Sequence, residues 1–311
     1  MTTPAAVTNV NTTIATEAMN RSRLHRIFSH VFFFKNRHLI DLSVGPVAAL
    51  SGAVTVLTII GMGKTTGSVV VGIVLGLLAG SAVGLVNGLI VSYFNVPAFL
   101  ITLSTQSIIN GVAQLTTGNQ TIAAMEPASF TFIGSGRLLG VPVPIYIMVL
   151  MMLITYFVLN KTVFGQRVYA VGGNRQAALL SGVAVKRVST ICYVISSFMA
   201  ALSSIVLASM NQQAIAKAAA GYENDVLTAI VVGGTSLAGG EGSIQGALFG
   251  ALLVGVLNNG MRLMGVPSTY HTLVKGVIII CAVAMDVYGK NKDSGLGRSL
   301  LKGMRRRTGK G

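Results

Sequence analysis

Side chains that could carry out catalysis are few in this sequence, and they are scattered. The four histidines have no metal-ligand spacing to a cysteine or a carboxylate, and they are His25, His30, His38 and His271. No Gly-x-Ser-x-Gly nucleophile elbow occurs. Gly63-Lys64-Thr65 is similar to the end of a phosphate-binding loop, but Thr58 occupies the position where that motif requires glycine. We therefore predict no catalytic residue, no metal site and no cofactor, and a protein that is not an enzyme.

Polar side chains inside long apolar runs are better candidates for function. Such side chains are costly in a bilayer and can mark a transport pathway, and hydrogen bonding between helices is the alternative for each of them. The pathway candidates are Asn87, Asn110, Tyr222, Asp225, Asn258 and Asn259, and Gln106 is a residue of the same kind. We place Tyr222, Glu223 and Asp225 at an outer segment edge, where capping a helix start is the alternative.

The composition indicates that a bilayer surrounds most of this chain. Of its 311 residues 52% are hydrophobic and only 10% are charged, and the mean hydropathy is +0.72. A soluble protein carries about 25% charged residues, so this chain has too few to cover a water-facing surface. The net charge of +15 does not indicate a nucleic-acid-binding protein, because the basic residues cluster at both ends and in one central loop.

Eight apolar segments follow a polar, basic start. They cover residues 42–62, 67–94, 97–115, 140–160, 189–210, 225–238, 243–264 and 272–288. A helix needs about 20 residues to cross the hydrocarbon core, and the short, glycine-rich segment 225–238 is therefore predicted to be broken or re-entrant. We predict an all-α polytopic membrane protein with about eight transmembrane helices. Residues 1–40 form its polar basic N-terminal segment, 41–290 its transmembrane domain and 291–311 a basic tail.

The basic residues predict the orientation of the chain. Three regions (1–40, 161–188 and the residues after 288) hold 18 of the 23 Lys and Arg residues. An even number of crossings that starts in the cytoplasm leaves all three regions there, as the positive-inside rule expects. We therefore predict a multi-pass membrane protein with both termini in the cytoplasm.

The chain also contains an internal repeat, with an offset of about 170 residues. Val96-Pro97 precedes Thr102-Leu103, and Val266-Pro267 precedes Thr272-Leu273 with the same spacing. Because five segments separate the two copies, they are expected to cross the membrane in opposite directions. Inverted repeats of this kind are a recurring design of transporters.

Glycine recurs at every fourth position of one segment. The series runs from Gly72 to Gly88 and places a smooth stripe on one helix face, which predicts the close approach of a neighbouring helix. Gly246 and Gly250 are expected to do the same in a later segment. We assign these glycines to packing and not to function.

The central basic loop, residues 161–188, contains a predicted short helix. Two glycines and an asparagine form a turn and an N-cap, residues 177–180 are good helix formers, and Gly182 can end the helix. A helix with small and apolar residues on view suits docking on a soluble partner, and an ordinary connecting loop is the alternative. The segment's residues are Gly172, Gly173, Asn174, Arg175, Ala177, Ala178 and Gly182.

Three separated motifs carry a resemblance to a known family. They are the loop from Ala170 to Val183, the stretch Gly221 to Gly242 with its Gly233-Gly234-Thr235-Ser236 core, and Ile40-Asp41-Leu42-Ser43-Val44-Gly45. Together with Asn258-Asn259, they resemble the permeases of ribose-type ABC importers, the inner-membrane subunits for monosaccharides. The resemblance covers about residues 40 to 290.

The resemblance implies a permease subunit of an ATP-driven importer in the cell inner (plasma) membrane, with ribose the favoured sugar. Two copies would form the pathway as a homodimer in the lipid bilayer, and an extracytoplasmic sugar-binding protein would deliver the substrate. A cytoplasmic ABC ATPase would hydrolyse ATP and dock on the segment from Gly172 to Gly182. Nucleic acid is not expected as a partner.

The N-terminal region departs from this family. Its members typically have about ten membrane helices, with one or two of them before the Ile-Asp-Leu-Ser motif, whereas Lys35-Asn36-Arg37-His38 stands there in this chain. An inactive permease with a truncated or divergent N-terminus is therefore one alternative. A stand-alone secondary transporter or channel is another, and ion coupling would require a carboxylate or histidine inside the membrane. We place Asp225 and Asp286 at segment edges, which disfavours ion coupling.

Overall fold

The computed structural model describes residues 41–123, 127–215, 219, 221–236, 239–240 and 242–293. The N-terminal segment 1–40 and the tail from residue 294 onward lie outside these ranges, as do the sequence predictions made for them. Contacts divide the chain into two compact units, and the boundary lies between Gly255 and Val256.

Helices make up most of the described residues. In the first unit they are α1 (Val44–Gly61), α2 (Thr66–Phe94), α3 (Ala98–Thr117), α4 (Ala128–Ser135), α5 (Val143–Lys161), α6 (Val163–Gly173), α7 (Arg175–Leu180), α8 (Val185–Asn211) and α9 (Tyr222–Val232). The helix α10 (Ile244–Leu263) begins in the first unit and ends in the second, and α11 (Ser268–Asp293) belongs to the second unit. The predicted all-α fold is confirmed.

Each of the eight predicted apolar segments coincides with a helix. Six helices among the described residues are long and apolar enough to cross a membrane, and they are α1, α2, α3, α5, α8 and α10. A shorter apolar stretch, Thr269–Met285, lies within α11. The helix α9 has only 11 residues, about 16 Å at 1.5 Å per residue, so it is too short to span a bilayer. This agrees with the prediction of a broken helix in that segment.

A three-helix core positions the rest of the first unit. The helices α1 and α8 are the most buried of the candidate membrane-spanning helices. In each, 72% of an apolar 18-residue stretch is buried inside the protein. The glycine stripe of α2 lies against both of them: Gly72 and Gly76 contact Thr55 of α1, and Gly84 contacts Tyr193 and Ser197 of α8. A Cβ atom on Gly84 would stand 2.6 Å from the Tyr193 carbonyl oxygen. The predicted close helix approach is therefore confirmed.

The second predicted glycine contact is also present. Gly246 and Gly250 of α10 lie against the backbone of Gly233 and Ala229, at the end of α9. Small side chains continue this contact, because Ala229, Ala251 and Val254 form one buried cluster. The helix α9 is thereby held against the first turns of α10.

Four short strands form two antiparallel ribbons. Strand β1 (Thr121–Ala123) pairs with β4 (Gln213–Ile215), and β2 (Arg137–Leu138) pairs with β3 (Val141–Pro142). The first ribbon joins the chain just after α3 to the chain just after α8. Ala214 of β4 belongs to the buried cluster that contains Ala53 and Val56 of α1, and Ile122 of β1 packs against that cluster.

Both copies of the internal repeat adopt the same local structure. Val96-Pro97 lies between the end of α2 and the start of α3, where Pro97 occupies the N-cap position. Val266-Pro267 lies between the end of α10 and the start of α11. Each copy is thus two helices joined by a short turn, because proline favours the start of a helix and ends the one before it. Their opposite direction in the membrane stays a prediction.

Candidate functional site

The predicted short helix of the central loop is present as α7. The Asn174 side chain accepts a hydrogen bond from the Ala177 backbone N–H at 3.0 Å and caps the helix. At the other end, Gly182 has a φ of +79°, and its N–H donates to the Leu179 carbonyl, which is the glycine-terminated helix end that the sequence predicted. A second helix, α6, occupies the first part of the same loop, and the Thr162 side chain separates it from α5 by accepting a hydrogen bond from the Gly165 N–H at 3.3 Å.

The exposed surface of α7 differs from the one predicted. Ala178 is only 4% exposed, because it packs in a buried cluster with Val168, Val171 and Val185. Leu179 and Leu180 are instead 58% and 83% exposed. These two adjacent leucines form a small exposed apolar patch on α7. The predicted docking residues included Ala177 and Ala178 but not these two leucines, although a Leu-Leu pair in a basic loop is itself a signal.

Two of the sequence motifs meet at this loop. Gly240, which follows α9, lies against Gly173, and a Cβ atom on Gly240 would stand 2.6 Å from the Gly173 Cα. The Tyr169 hydroxyl donates to the Gly242 carbonyl at 3.4 Å. The segment from Gly172 to Gly182 therefore contacts the loop that connects α9 to α10.

The same loop lies at the end of α2. The Arg175 guanidinium donates to the Asn95 side-chain oxygen at 3.3 Å, and the Lys186 ammonium stands 5.0 Å from the centre of the Tyr93 ring. Because α2 ends at Phe94, its last turn marks the side of the membrane on which the basic loop lies.

A second set of polar residues lies where the start of α1 meets α2 and α3. Asp41 accepts hydrogen bonds from the backbone N–H (2.9 Å) and hydroxyl (2.5 Å) of Ser43. The Asn87 amide donates to the Ser43 hydroxyl at 3.0 Å and accepts from the Thr105 hydroxyl at 2.6 Å. Asp41, Ser43 and Asn87 are almost completely buried. We call Asp41, Ser43, Asn87 and Thr105 the buried network. It joins the start of α1 to α2 and α3.

Glu223, in the first turn of α9, lies next to this network. Its carboxylate accepts a hydrogen bond from Gln106 of α3 at 3.3 Å. Gly45 gives it room, because a Cβ atom there would stand 2.6 Å from the Glu223 carboxylate and 2.7 Å from the Ala219 carbonyl oxygen. The starts of α1 and α9 therefore meet, and the third sequence motif joins the second.

The Glu223 carboxylate lies further along the neighbouring helices than the sequence predicted. Asn87 is seven residues before the end of α2, and Gln106 is eight residues after the start of α3. At 1.5 Å per residue, the two side chains are about 10 to 12 Å along the spans from the side of the basic loop. Glu223 therefore lies beside residues well inside α2 and α3 rather than at the predicted outer edge, and the positions predicted for Tyr222 and Asp225 stay predictions. Hydropathy does not reveal that a helix can start inside the membrane when protein surrounds it.

The other predicted pathway residues have different surroundings. Asn110 is partly exposed on α3, and Asp225 is buried in the first turn of α9. In the second unit, Asn258 is buried, and neither polar atom of its side chain has a hydrogen-bond partner among the described residues. The structure thus brings Asn87 and the start of α9 together around α1. Among the residues that it describes, no group of three His, Cys, Asp or Glu side chains could hold a metal ion.

Multiple membrane spans, a polar cluster within them and an exposed apolar helix beside them define a polytopic membrane transport protein. Over residues 31–283 the chain matches the family described as the permease component of the branched-chain amino acid transport system. The chain belongs to this permease family.

Several relatives of this chain are sugar permeases by name. It is 41% identical to the ribose import permease protein RbsC of Bacillus subtilis over 79% of this chain and 76% of that protein. The identity to RbsC of Escherichia coli K12 is also 41%, over 79% of this chain and 77% of that protein. The L-arabinose ABC transporter permease protein AraH of Azospirillum brasilense is 37% identical over 81% of this chain and 73% of its own length. No solved structure matches the chain significantly.

Proposed function

We propose that this chain is the membrane-spanning permease subunit of an ATP-driven importer of a monosaccharide, and that the sugar is ribose. Its identity to two ribose import permeases supports this substrate. The observation that carries the mechanism is the position of α9. One end of this helix lies beside the buried network, and the loop at its other end lies against the segment that contains α7.

The partner that hydrolyses ATP would dock on α7. Leu179 and Leu180 offer it an apolar patch on the side of the basic loop, and apolar patches of this kind suit protein contacts. ATP binding and release on the partner would then move α7 together with the loop after α9. The permease itself takes no part in the hydrolysis.

The remaining partners follow from the same proposal. A second copy of the chain completes the pathway as a homodimer surrounded by lipid, and an extracytoplasmic sugar-binding protein delivers the sugar from the opposite side. The termini lie in the cytoplasm together with the basic loop, as the positive-inside rule requires. Glu223 and the amides near it supply the acceptors and donors that sugar hydroxyls need.

Uptake of labelled ribose tests the proposal. The chain is expressed with its ATPase and its binding protein in cells that lack their own ribose permease, and unlabelled L-arabinose is added as a competitor. We expect ribose uptake that a modest excess of arabinose does not abolish. Arabinose uptake without ribose uptake would contradict the choice of ribose, and the absence of both, with the protein present in the membrane, would contradict the sugar-permease proposal.

A docking variant is included in the same experiment. Leu180→Glu places a charge on the exposed patch of α7 without disturbing a buried side chain, so ATPase association and uptake are expected to be lost together. Leu139→Glu is the matched control, because Leu139 is 93% exposed in a different turn of the chain. Retained ATPase association in Leu180→Glu would contradict the assignment of α7.

A further inference from the structure

The helix α3 differs from the other peripheral spans in composition. In both α3 and α5, only 17% of an apolar 18-residue stretch is buried. The mean hydropathy of that stretch is nevertheless only 1.2 in α3, against 2.1 in α5. The side chains of α5 are apolar almost throughout, as lipid contact requires. The helix α3 is equally exposed but much more polar, so part of its surface is unlike a lipid contact.

The polar side chains of α3 form a stripe along one face. Gln106, Asn110 and Gln114 are spaced four residues apart and are all partly exposed, and residues at this spacing lie on one side of a helix. Ser107 stands beside them and is exposed. We call Gln106, Asn110 and Gln114 the amide stripe.

A different face of α3 has the character of a lipid contact. Ile108, Val112 and Leu115 are 62%, 38% and 83% exposed and are all apolar. A third face, with Thr102, Ala113 and Thr117, is buried against the protein. The amide stripe therefore lies along the partly exposed edge of this buried face, on the side of the helix opposite to Ile108 and Leu115.

The stripe continues into the polar residues described above. At one end, Gln106 donates to the carboxylate of Glu223, and the neighbouring Thr105 donates to Asn87 in the buried network. Two turns further along, Gln114 donates to the Asn110 backbone carbonyl at 3.2 Å. From Gln106 to Gln114 the stripe extends about 12 Å along the helix at 1.5 Å per residue.

We infer that the amide stripe lines the route of the transported sugar through the membrane, with Glu223 at the end of the stripe nearer the basic loop. This inference rests on the proposed function. Each amide carries two donors and an acceptor, so it can exchange hydrogen bonds with successive sugar hydroxyls and with water. A weak site at every turn suits transport, because the solute must bind and leave at each step. The stripe thus specifies a hydroxyl-rich, uncharged solute.

Cysteine accessibility tests the inference directly. Cys192 and Cys281, the two native cysteines, are replaced by alanine, and single cysteines are introduced at 106, 110 and 114. Matched controls carry a cysteine at 108, 112 or 115. The full transporter, in cells, is treated with a membrane-impermeant, charged methanethiosulfonate reagent with and without ribose.

We expect reaction at the three stripe positions, slowed by ribose, and little reaction at the three lipid-facing positions. Equal reactivity on both faces would overturn the inference. Spontaneous cross-links between stripe cysteines of two copies, with no reaction toward the reagent, would overturn it too, because the stripe would then be a contact between subunits. Reaction that ribose does not slow would show a wet surface outside the sugar route, and would also overturn the inference.

Substitutions separate this inference from the proposed function. Asn110→Leu and Gln114→Leu remove the hydrogen-bonding groups, and each is expected to lower ribose uptake about tenfold, the effect of one lost hydrogen bond. Ile108→Leu is expected to change nothing, and ATPase co-purification checks that every variant is assembled. Normal uptake in both stripe variants would overturn the inference and leave the proposed function intact. An inactive unsubstituted chain would contradict the proposed function, and the labelling pattern would still test the stripe.

Discussion

At the scale of single residues, the buried network shows how a polar side chain is tolerated within the spans. Asn87 donates to Ser43 and accepts from Thr105, so both ends of its amide are satisfied by neighbouring helices. The sequence offered two interpretations of Asn87, a pathway residue or a hydrogen bond between helices. The structure supplies the hydrogen bonds, and the pathway role stays a prediction.

The first prediction concerns this network. Asn87→Leu removes both hydrogen bonds and leaves the Ser43 and Thr105 hydroxyls without this partner. Hydrogen bonds between membrane helices contribute on the order of 0.6 to 1.7 kcal/mol each, so we expect a lower midpoint of thermal aggregation in detergent. Val86→Leu, at the 52%-exposed neighbouring position, should leave the midpoint unchanged. An Asn87→Leu protein as stable as the unsubstituted chain would show that the network does not hold these helices together.

At the scale of the elements, the glycine stripe determines how closely α2 approaches α8. A Cβ atom on Gly84 would stand 2.6 Å from the Tyr193 carbonyl oxygen and from the Ser197 hydroxyl. The backbone cannot yield as a flexible side chain would, so overpacking of this kind costs about 1–3 kcal/mol. The packing predicted from the four-residue glycine spacing is therefore a stability determinant that can be tested.

Gly84→Ala is expected to reduce the amount of folded protein recovered from the membrane and to lower its thermal midpoint. Gly67→Ala is the control in the same helix, because its nearest neighbouring atom would be 3.8 Å from the new Cβ. Fluorescence-detected size-exclusion chromatography on heated samples measures both variants. Equal midpoints for the two would contradict the close approach of α2 and α8.

A second prediction at this scale concerns the loop after α9. Gly240→Ala would place a Cβ atom 2.6 Å from the Gly173 Cα and force the loop away from the docking segment. Because Leu179 and Leu180 keep their exposed positions, we expect the ATPase still to bind while ribose uptake falls. Gly234→Ala is matched in strain, since Gly234 has a φ of +77° and no atom within 4 Å of the added Cβ. If both variants transport equally well, the contact between Gly173 and Gly240 does not couple the ATPase to the pathway.

The sequence predicted the positions of the helices better than the contacts between them. Hydropathy located all eight apolar helices, and glycine spacing and turn residues located the packing stripe and α7. It did not locate Glu223, because the depth at which a helix starts depends on the surrounding protein and not on its own composition. Nor could the sequence predict that Leu180 is exposed and Ala178 buried, because a helix of six residues has too few turns for a periodic pattern.

At the scale of the whole molecule, three motifs far apart in the sequence meet at the two ends of one short helix. Gly45 lies beside Glu223 at the start of α9, and Gly173 lies beside Gly240 after its end. A helix held at both ends can transmit a displacement of the docking segment to the polar residues within the spans. This arrangement favours a transporter driven by a partner protein over one driven by an ion gradient, even though the Glu223 carboxylate lies beside residues well inside α2 and α3.

Ribose uptake into proteoliposomes tests this central claim most directly. The chain is reconstituted with its ATPase, the sugar-binding protein is added outside, and ATP or a non-hydrolysable analogue is enclosed, with and without a protonophore. We predict uptake that requires hydrolysable ATP, persists with the protonophore and disappears in Leu180→Glu. Uptake that needs no ATP and collapses with the protonophore would contradict the account and identify a secondary transporter instead.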